Sequence, residues 1–260
     1  MNVLTTNQSR IVFQDVGSGP AVLLVHGFPL DRSMWQHQIN AWSDRFRLIV
    51  PDLPGFGESQ FMGDQWTLAS MADELAGLLD HLQIPQITYC GLSMGGYIGW
   101  QFWQLHPQRF NRLIACNTRA AADTEIVRRA RSMQAAMVLE QGIGNLAAEM
   151  IPRLFAFADH PDRSRDYQQA ISSVRNMIQN TDPKMIAAAQ RAMAERPDAT
   201  EWLPKIEIPI LFVGGQYDQI TPSDEMKQNQ TLARCGQWIE IADAGHLTPL
   251  ENPTAFNAIL

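Results

Sequence analysis

The sequence predicts an α/β protein: a mostly parallel central sheet covered by helices on both faces, with a helical cap inserted late in the chain. Three observations predict it. Short aliphatic runs alternate with longer helical patterns, as in strand–helix–strand units. Four of the runs are nearly continuous in apolar residues, the mark of strands buried on both faces. A stretch over 119–199 then shows no good strand pattern before strands resume.

The strands read in order are "RIVFQDV" (10–16), "AVLLVHG" (21–27), "FRLIVPD" (46–52), "QITYCG" (86–91), "NRLIACN" (111–117), "IPILFVGG" (208–215) and "GQWIEI" (236–241). Helices are expected near 33–43, 67–83, 94–106 and 223–233. Over 67–83 the apolar positions 68, 71, 72, 75, 78 and 79 fall on one helical stripe. The middle region holds further stripes. One carries Ile143, Leu146, Ala147, Met150, Ile151, Leu154 and Phe155; another carries Tyr167, Ala170, Ile171, Val174, Met177 and Ile178. Residues 124–141 and 184–195 also read as helical. The division expected is a core of 1–118 and 200–260, with a cap of 119–199.

Composition narrows the function classes. Lys and Arg number 20 against 27 Asp and Glu, a net charge of −7, and there is no long basic run. A nucleic-acid partner is therefore not expected. No apolar run is long enough to span a bilayer, so no membrane partner is expected either. The opening "MNVLTTNQSR" is polar and lacks a signal-peptide apolar core, which makes a cytoplasmic location the default. The cysteines at 90, 116 and 235 form no metal-ligand pattern, and no metal or cofactor is expected. Cys90 and Cys116 sit in strand runs and read as buried thiols. Oligomeric state is not legible, and a homodimer stays open.

The chemistry concentrates in Gly91-Leu92-Ser93-Met94-Gly95, a G-x-S-x-G pentapeptide between a buried strand and a helix. A sharp strand-to-helix turn forces its central residue into a strained conformation, with close neighbours on either side. The Ser93 hydroxyl is thereby lifted above the sheet edge, at the positive end of the following helix. A serine hydroxyl stays protonated near neutrality, so it needs a base, and the base needs an orienting acid. Of six histidines, His246 lies in the glycine-flanked "ADAGHLTPLENP" after the last strand. An imidazole with an ordinary pKa of about 6.5 can take and return a proton there. The acid expected is Asp218, just past strand 208–215; Asp123 is its rival, and Asp243 reads as a loop cap. Two backbone N–H groups should face a developing oxyanion: that of Met94, and that of Phe28 in "HGFPLDRSMW". In "PDLPGFGES" (51–59) the glycine spacing is too short for a dinucleotide loop, and Asp52 reads as structural.

These stretches occur in one order along the chain: "LLVHGFPLDRSMW", "VPDLPGFGES", "CGLSMGGYIGWQFWQLHPQRFNRLIACNT", "PILFVGGQYDQITP" and "AGHLTPLENP". So arranged, the sequence resembles the α/β-hydrolase superfamily over nearly its whole length. "GLSMGGYIGWQF" followed by "RLIACNTRAA" makes it similar to small carboxylesterases and 3-oxoadipate enol-lactonase-like hydrolases. The resemblance implies an α/β-hydrolase fold and a catalytic triad of Ser93, Asp218 and His246, with Phe28 and Met94 as oxyanion donors. The expected activity is that of a serine carboxylic-ester hydrolase cleaving a small ester or lactone through an acyl-enzyme. An enol-lactonase of aromatic catabolism, and a perhydrolase or carbon–carbon bond hydrolase on the same triad, are the alternatives. A ligand receptor of the same fold is the non-enzyme one. The serine at 93 argues against the relatives with an aspartate nucleophile, the haloalkane dehalogenases and epoxide hydrolases.

The substrate pocket is expected from His26, Trp35, Arg119, Met133, Met137, Leu154 and Leu247. Six methionines lie in the inserted region, at 133, 137, 150, 177, 185 and 193. They read either as an adaptable apolar wall or as plain core. A dicarboxylate lactone would need a cation, for which Arg119 and Arg128 or Arg129 are the candidates.

Overall fold

The structure is a computed structural model that describes residues 1–158, 160 and 164–260. Nine strands form one sheet: β1 (Asn2–Thr5), β2 (Ser9–Val16), β3 (Ala21–Val25), β4 (Arg47–Pro51), β5 (Gln60–Phe61), β6 (Ile87–Leu92), β7 (Phe110–Cys116), β8 (Ile210–Gly215) and β9 (Gly236–Ile241). Their spatial order is β1-β2-β4-β3-β6-β7-β8-β9, with β5 paired to β2. From β4 to β9 every neighbouring pair is parallel, while β1, β2 and β5 join antiparallel. The runs read as doubly buried, β3, β4, β7 and β8, supply the core. The short strands β1 and β5 carry no sustained alternation and were not legible in the sequence.

The flanking helices are α1 (Gln36–Trp42), α2 (Leu68–His81), α3 (Met94–Leu105), α8 (Ser223–Leu232), α9 (Thr248–Glu251) and α10 (Pro253–Asn257). The helix expected over 33–43 begins as a 3₁₀ turn, Arg32–Trp35, before α1. Thr67 caps α2, its Oγ1 accepting from Ser70 N–H at 2.9 Å while Ser70 Oγ accepts from Thr67 N–H at 3.0 Å. This reciprocal box fixes where the helix starts. It buries Leu68, Met71, Ala72, Leu75, Leu78 and Leu79, and each large aliphatic side chain contributes about 1.5–3 kcal/mol of transfer free energy.

Between β7 and β8 lie α4 (Glu125–Gln141), α5 (Leu146–Leu154), α6 (Arg165–Asn180) and α7 (Pro183–Ala194). The insertion expected over 119–199 includes residues 159 and 161–163, which fall outside the described residues. α6 buries the six residues read as its apolar stripe. α5 starts three residues later than the pattern that begins at Ile143, because Gly142 and Gly144 take positive φ. On α4 only Ala135 and Val138 are buried, and Ile126, Met133 and Met137 are exposed.

The sheet order positions the site. The chain runs from β3 outward to β4 on one side, then returns to β6 on the other. The C-terminal ends of β3 and β6 thus flank the point where the winding reverses, where open α/β sheets leave a crevice. Phe28 follows β3 there, and Ser93 follows β6.

Candidate active site

Ser93 is the N-cap of α3, with φ 53° and ψ −111°. A non-glycine residue held there carries about 1–3 kcal/mol of backbone strain. The turn is tight enough to dictate its glycines. A Cβ at Gly91 would overlap the Gly95 carbonyl, and one at Gly95 would overlap the Val25 carbonyl of β3. The strained residue is tied on both sides: Ser93 N–H donates to Cys116 O at 2.9 Å, and Thr118 Oγ1 donates to Ser93 O at 2.8 Å. Met94 is fully buried, and its N–H opens α3, among the amides with no acceptor inside the helix.

Asp218 and His246 meet in a hydrogen-bonded pair. His246 Nδ1 lies 2.9 Å from Asp218 Oδ2 and 3.1 Å from Oδ1. A carboxylate at that nitrogen places the ring proton on Nδ1 and leaves Nε2 as the basic nitrogen. Asp218 is held by further donors. Oδ1 accepts from the N–H groups of Ile220 (2.8 Å) and Thr221 (3.0 Å); Oδ2 accepts from Thr221 Oγ1 (2.6 Å) and Asn117 Nδ2 (2.9 Å). Burial pushes the Asp218 carboxyl up. The charge of His246 and the hydrogen bonds from His246, Asn117 and Thr221 outweigh it and hold the group well below the usual carboxylate range. His246 is itself 2% exposed, and its N–H donates to Leu154 O of α5 at 3.0 Å.

Ser93, His246 and Phe28 line one cavity of about 790 Å³ together with Tyr97, Arg131, Gln190, Ile220 and residues of the insertion. Of the pocket residues expected from sequence, Met133, Met137 and Leu154 line it; of the other methionines, Met150 and Met193 do, while Met177 is core and Met185 stands against Gly55. Four expectations are corrected, since His26, Trp35, Arg119 and Leu247 are not on its wall. His26 is fully buried with both ring nitrogens committed: Nδ1–H donates to Gly27 O at 2.9 Å and Nε2 accepts from Leu53 N–H at 3.0 Å. Trp35 is core, 6.1 Å from the Phe256 ring. Arg119 pairs with Glu225 at 3.3 Å and donates to Ile220 O, bracing the loop that holds Asp218. Leu247 is buried, its N–H bonded to Glu251.

The rival acid, Asp123, is taken up elsewhere. Its carboxylate is fully buried between Arg131 (2.6 Å) and Arg196 (2.8 Å). Asp52 accepts from the Arg32 and Glu58 N–H groups and from the Arg32 guanidinium, and so fixes its loop. Arg129 pairs with Glu125 on the surface, and Arg128 does not line the cavity. Two arginines line the cavity, Arg131 and Arg153, and the sequence reading singled out neither as a cation for the substrate. Asn117 was missed as well: at φ 44° it joins Asp218, Gly245 O (3.2 Å) and Thr248 Oγ1 (2.6 Å). Only its place directly after a buried strand could have drawn attention to it.

A buried imidazole–carboxylate pair whose imidazole shares a cavity with a serine on a strained strand-to-helix turn is the arrangement of the α/β hydrolases. The chain belongs to that family: the alpha/beta hydrolase fold matches residues 20–253. It is 32% identical over 241 residues to 3-oxoadipate enol-lactonase 2 of Acinetobacter baylyi, covering 92% of this chain and 86% of that one. Among solved structures it is similar to a thermophilic esterase from Thermogutta terrifontis, solved with malate bound. That likeness has 41% identity and a TM-score of 0.93, over 100% of this chain and 96% of the other. The enol-lactonase of Burkholderia xenovorans follows with 25% identity and a TM-score of 0.88, over 99% and 97%. The protein is a hydrolase of the α/β fold with enol-lactonase and esterase relatives. Among the described residues, no helix is long and apolar enough to cross a membrane.

Proposed function

We propose that the chain is a serine carboxylic-ester hydrolase that cleaves a small ester or lactone through an acyl-enzyme on Ser93. The observation that carries this reading is that His246, which lines one cavity with Ser93, contacts Asp218 at 2.9 Å. In this reading His246 Nε2 takes the Ser93 proton as Oγ attacks the carbonyl carbon. The N–H groups of Phe28 and Met94 stabilise the oxyanion, each worth about 3 kcal/mol of barrier. The imidazolium then protonates the leaving alkoxide. Water, deprotonated by the same nitrogen, attacks the acyl carbon, and the imidazolium returns that proton to Ser93 Oγ as the acid is released. Asp218 holds the imidazole in the required tautomer and stabilises its charge.

One observation favours a substrate with an acidic end. Arg131 is framed by Asp123 on Nε and by Gln190 Oε1 on Nη1 at 2.9 Å. Nη2 is the nitrogen that neither occupies, on a guanidinium that lines the cavity. A fixed guanidinium suits a carboxylate. The enol-lactonase relatives and the malate-bound esterase are consistent with this.

The test is a kinetic series of p-nitrophenyl esters of rising acyl length, run beside an enol-lactone that bears a carboxylate, on wild type and Ser93→Ala. The reading expects turnover of both substrate kinds and its loss in a folded Ser93→Ala. Wild-type turnover in that variant would refute it.

A further inference from the structure

Glu251 is a buried carboxylate that the proposed chemistry does not use. It stands on α9, five residues after His246, and is 8% exposed. Four donors converge on it from two directions. Oε1 accepts from the amides on either side of His246, Gly245 at 2.9 Å and Leu247 at 3.0 Å. Oε2 accepts from Ala156 N–H at 2.8 Å and Tyr167 Oη at 2.8 Å, both in the insertion. The Tyr167 hydroxyl also accepts from Phe157 N–H at 3.2 Å. His246 N–H donates to Leu154 O, so the loop meets the insertion a second time, at the end of α5.

We infer that Glu251 is a positioning residue: its carboxylate clamps the His246 loop with one oxygen and the α5–α6 junction with the other, so that the imidazole and the insertion wall are held in one register. The inference rests on His246 being the base, as proposed above. The physical reason for a carboxylate is its acceptor capacity. Two oxygens with about four lone-pair sites can receive four donors, whereas an amide turns an NH₂ group toward one donor pair. Glu251→Gln therefore keeps the oxygen for one side only. The tyrosine hydroxyl can reverse and accept, but the backbone amides cannot. The glutamine oxygen thus serves Gly245 and Leu247, and the contact to Ala156 is lost. Glu251→Ala loses both sides.

The inference is tested by two readouts on the full chain. Amide hydrogen exchange is followed in peptides covering 243–249 and 153–158. The rate at which a serine-directed phosphonate labels Ser93 is measured alongside kcat and KM. In Glu251→Ala both peptides exchange faster, and labelling and kcat fall together by about 100-fold, the penalty of a base displaced by about 1 Å. In Glu251→Gln exchange rises in 153–158 alone, with KM raised and kcat within about threefold of wild type. A merely structural glutamate would lower the melting temperature of both variants while the folded fraction kept wild-type kcat and labelling rate. That result, or unchanged exchange across 243–249 in Glu251→Ala, overturns the clamp. If Glu251→Ala does not fold, Glu251→Gln decides, because wild-type exchange at 153–158 in that variant also overturns it. Failure of the serine reading shows separately, as a wild type that takes no label on Ser93, and the exchange result stands independently of it.

Discussion

Replacing Asp218 by Asn leaves the side chain nearly the same shape and removes its charge. The consequence can be worked from the geometry. With Nδ1–O distances of 2.9 and 3.1 Å, the charge centres of carboxylate and imidazolium sit about 4 Å apart, an attraction of about 4 kcal/mol at an effective dielectric of about 20. In the acyl-transfer step the charge forms on His246 as it takes the serine proton, so the attraction lowers the barrier, and 4 kcal/mol is about three decades in rate. The amide also presents N–H to a site whose neighbours at Oδ2 are all donors, Asn117 Nδ2, Thr221 Oγ1 and His246 Nδ1, which favours the wrong imidazole tautomer. We expect kcat on p-nitrophenyl acetate to fall by about 10³- to 10⁴-fold, with KM changed by less than about threefold because Asp218 does not line the cavity. Stopped-flow burst kinetics with far-UV circular dichroism as the fold control measure this. A folded Asp218→Asn within tenfold of wild-type kcat would refute the assignment of the acid. Stability supplies a second check. The folded carboxyl titrates below its unfolded value, so its stabilisation is complete above about pH 4 and fades as pH falls through the folded pKa. The stability gap between wild type and Asp218→Asn should close in acid.

Two further predictions concern His26, which was expected on the cavity wall, and Arg131, which the sequence reading missed. His26→Ala leaves the Leu53 amide without its acceptor and opens a void, at a cost of about 3 kcal/mol in chemical denaturation, while KM stays within about twofold because the residue is off the cavity wall. Burial lowers the His26 pKa, so the unfolded chain binds a proton that the folded one refuses. Wild-type stability should therefore decline as pH falls below about 6.5, and His26→Ala should lose that part of the slope. Arg131→Gln should raise KM by about 10- to 100-fold for an ester bearing a distal carboxylate, the loss of one charged hydrogen bond, and leave KM for its neutral isostere unchanged. Equal effects on both substrates would remove Arg131 from recognition.

How much of this was legible in the sequence follows from where each signal lives. The parallel strands and α2, α3 and α6 were readable because burial on one or both faces imposes a period on the residues themselves. Ser93 was readable because its turn excludes side chains at 91 and 95 through backbone overlap, which leaves glycines in the sequence. His246 and Asp218 stood out as a histidine and an acid in loops after consecutive strands. The cavity wall was not readable in the same way. Trp35 and Leu247 have the apolar character of pocket residues, yet tertiary packing turns them into the core, whereas Ile126 and Met133 on α4 stay exposed at the cavity. Charge gives no better guide. Asp123, Arg131 and Arg196 are distant in sequence or look like surface residues, and only folding brings them into one buried ion-pair group. Asn117 acts through Asp218, the Gly245 carbonyl and the Thr248 hydroxyl, and Glu251 through backbone amides and the Tyr167 hydroxyl, partners that leave no pattern in the sequence at all.

The central claim is that one hydroxyl carries the acyl group, and the most direct measurement is covalent. Wild type treated with a serine-directed fluorophosphonate should gain one adduct per chain by intact mass, mapped to the peptide containing Ser93, with hydrolytic activity lost in step with labelling. An unlabelled protein that still hydrolyses esters, or an adduct mapped to another serine, would contradict it.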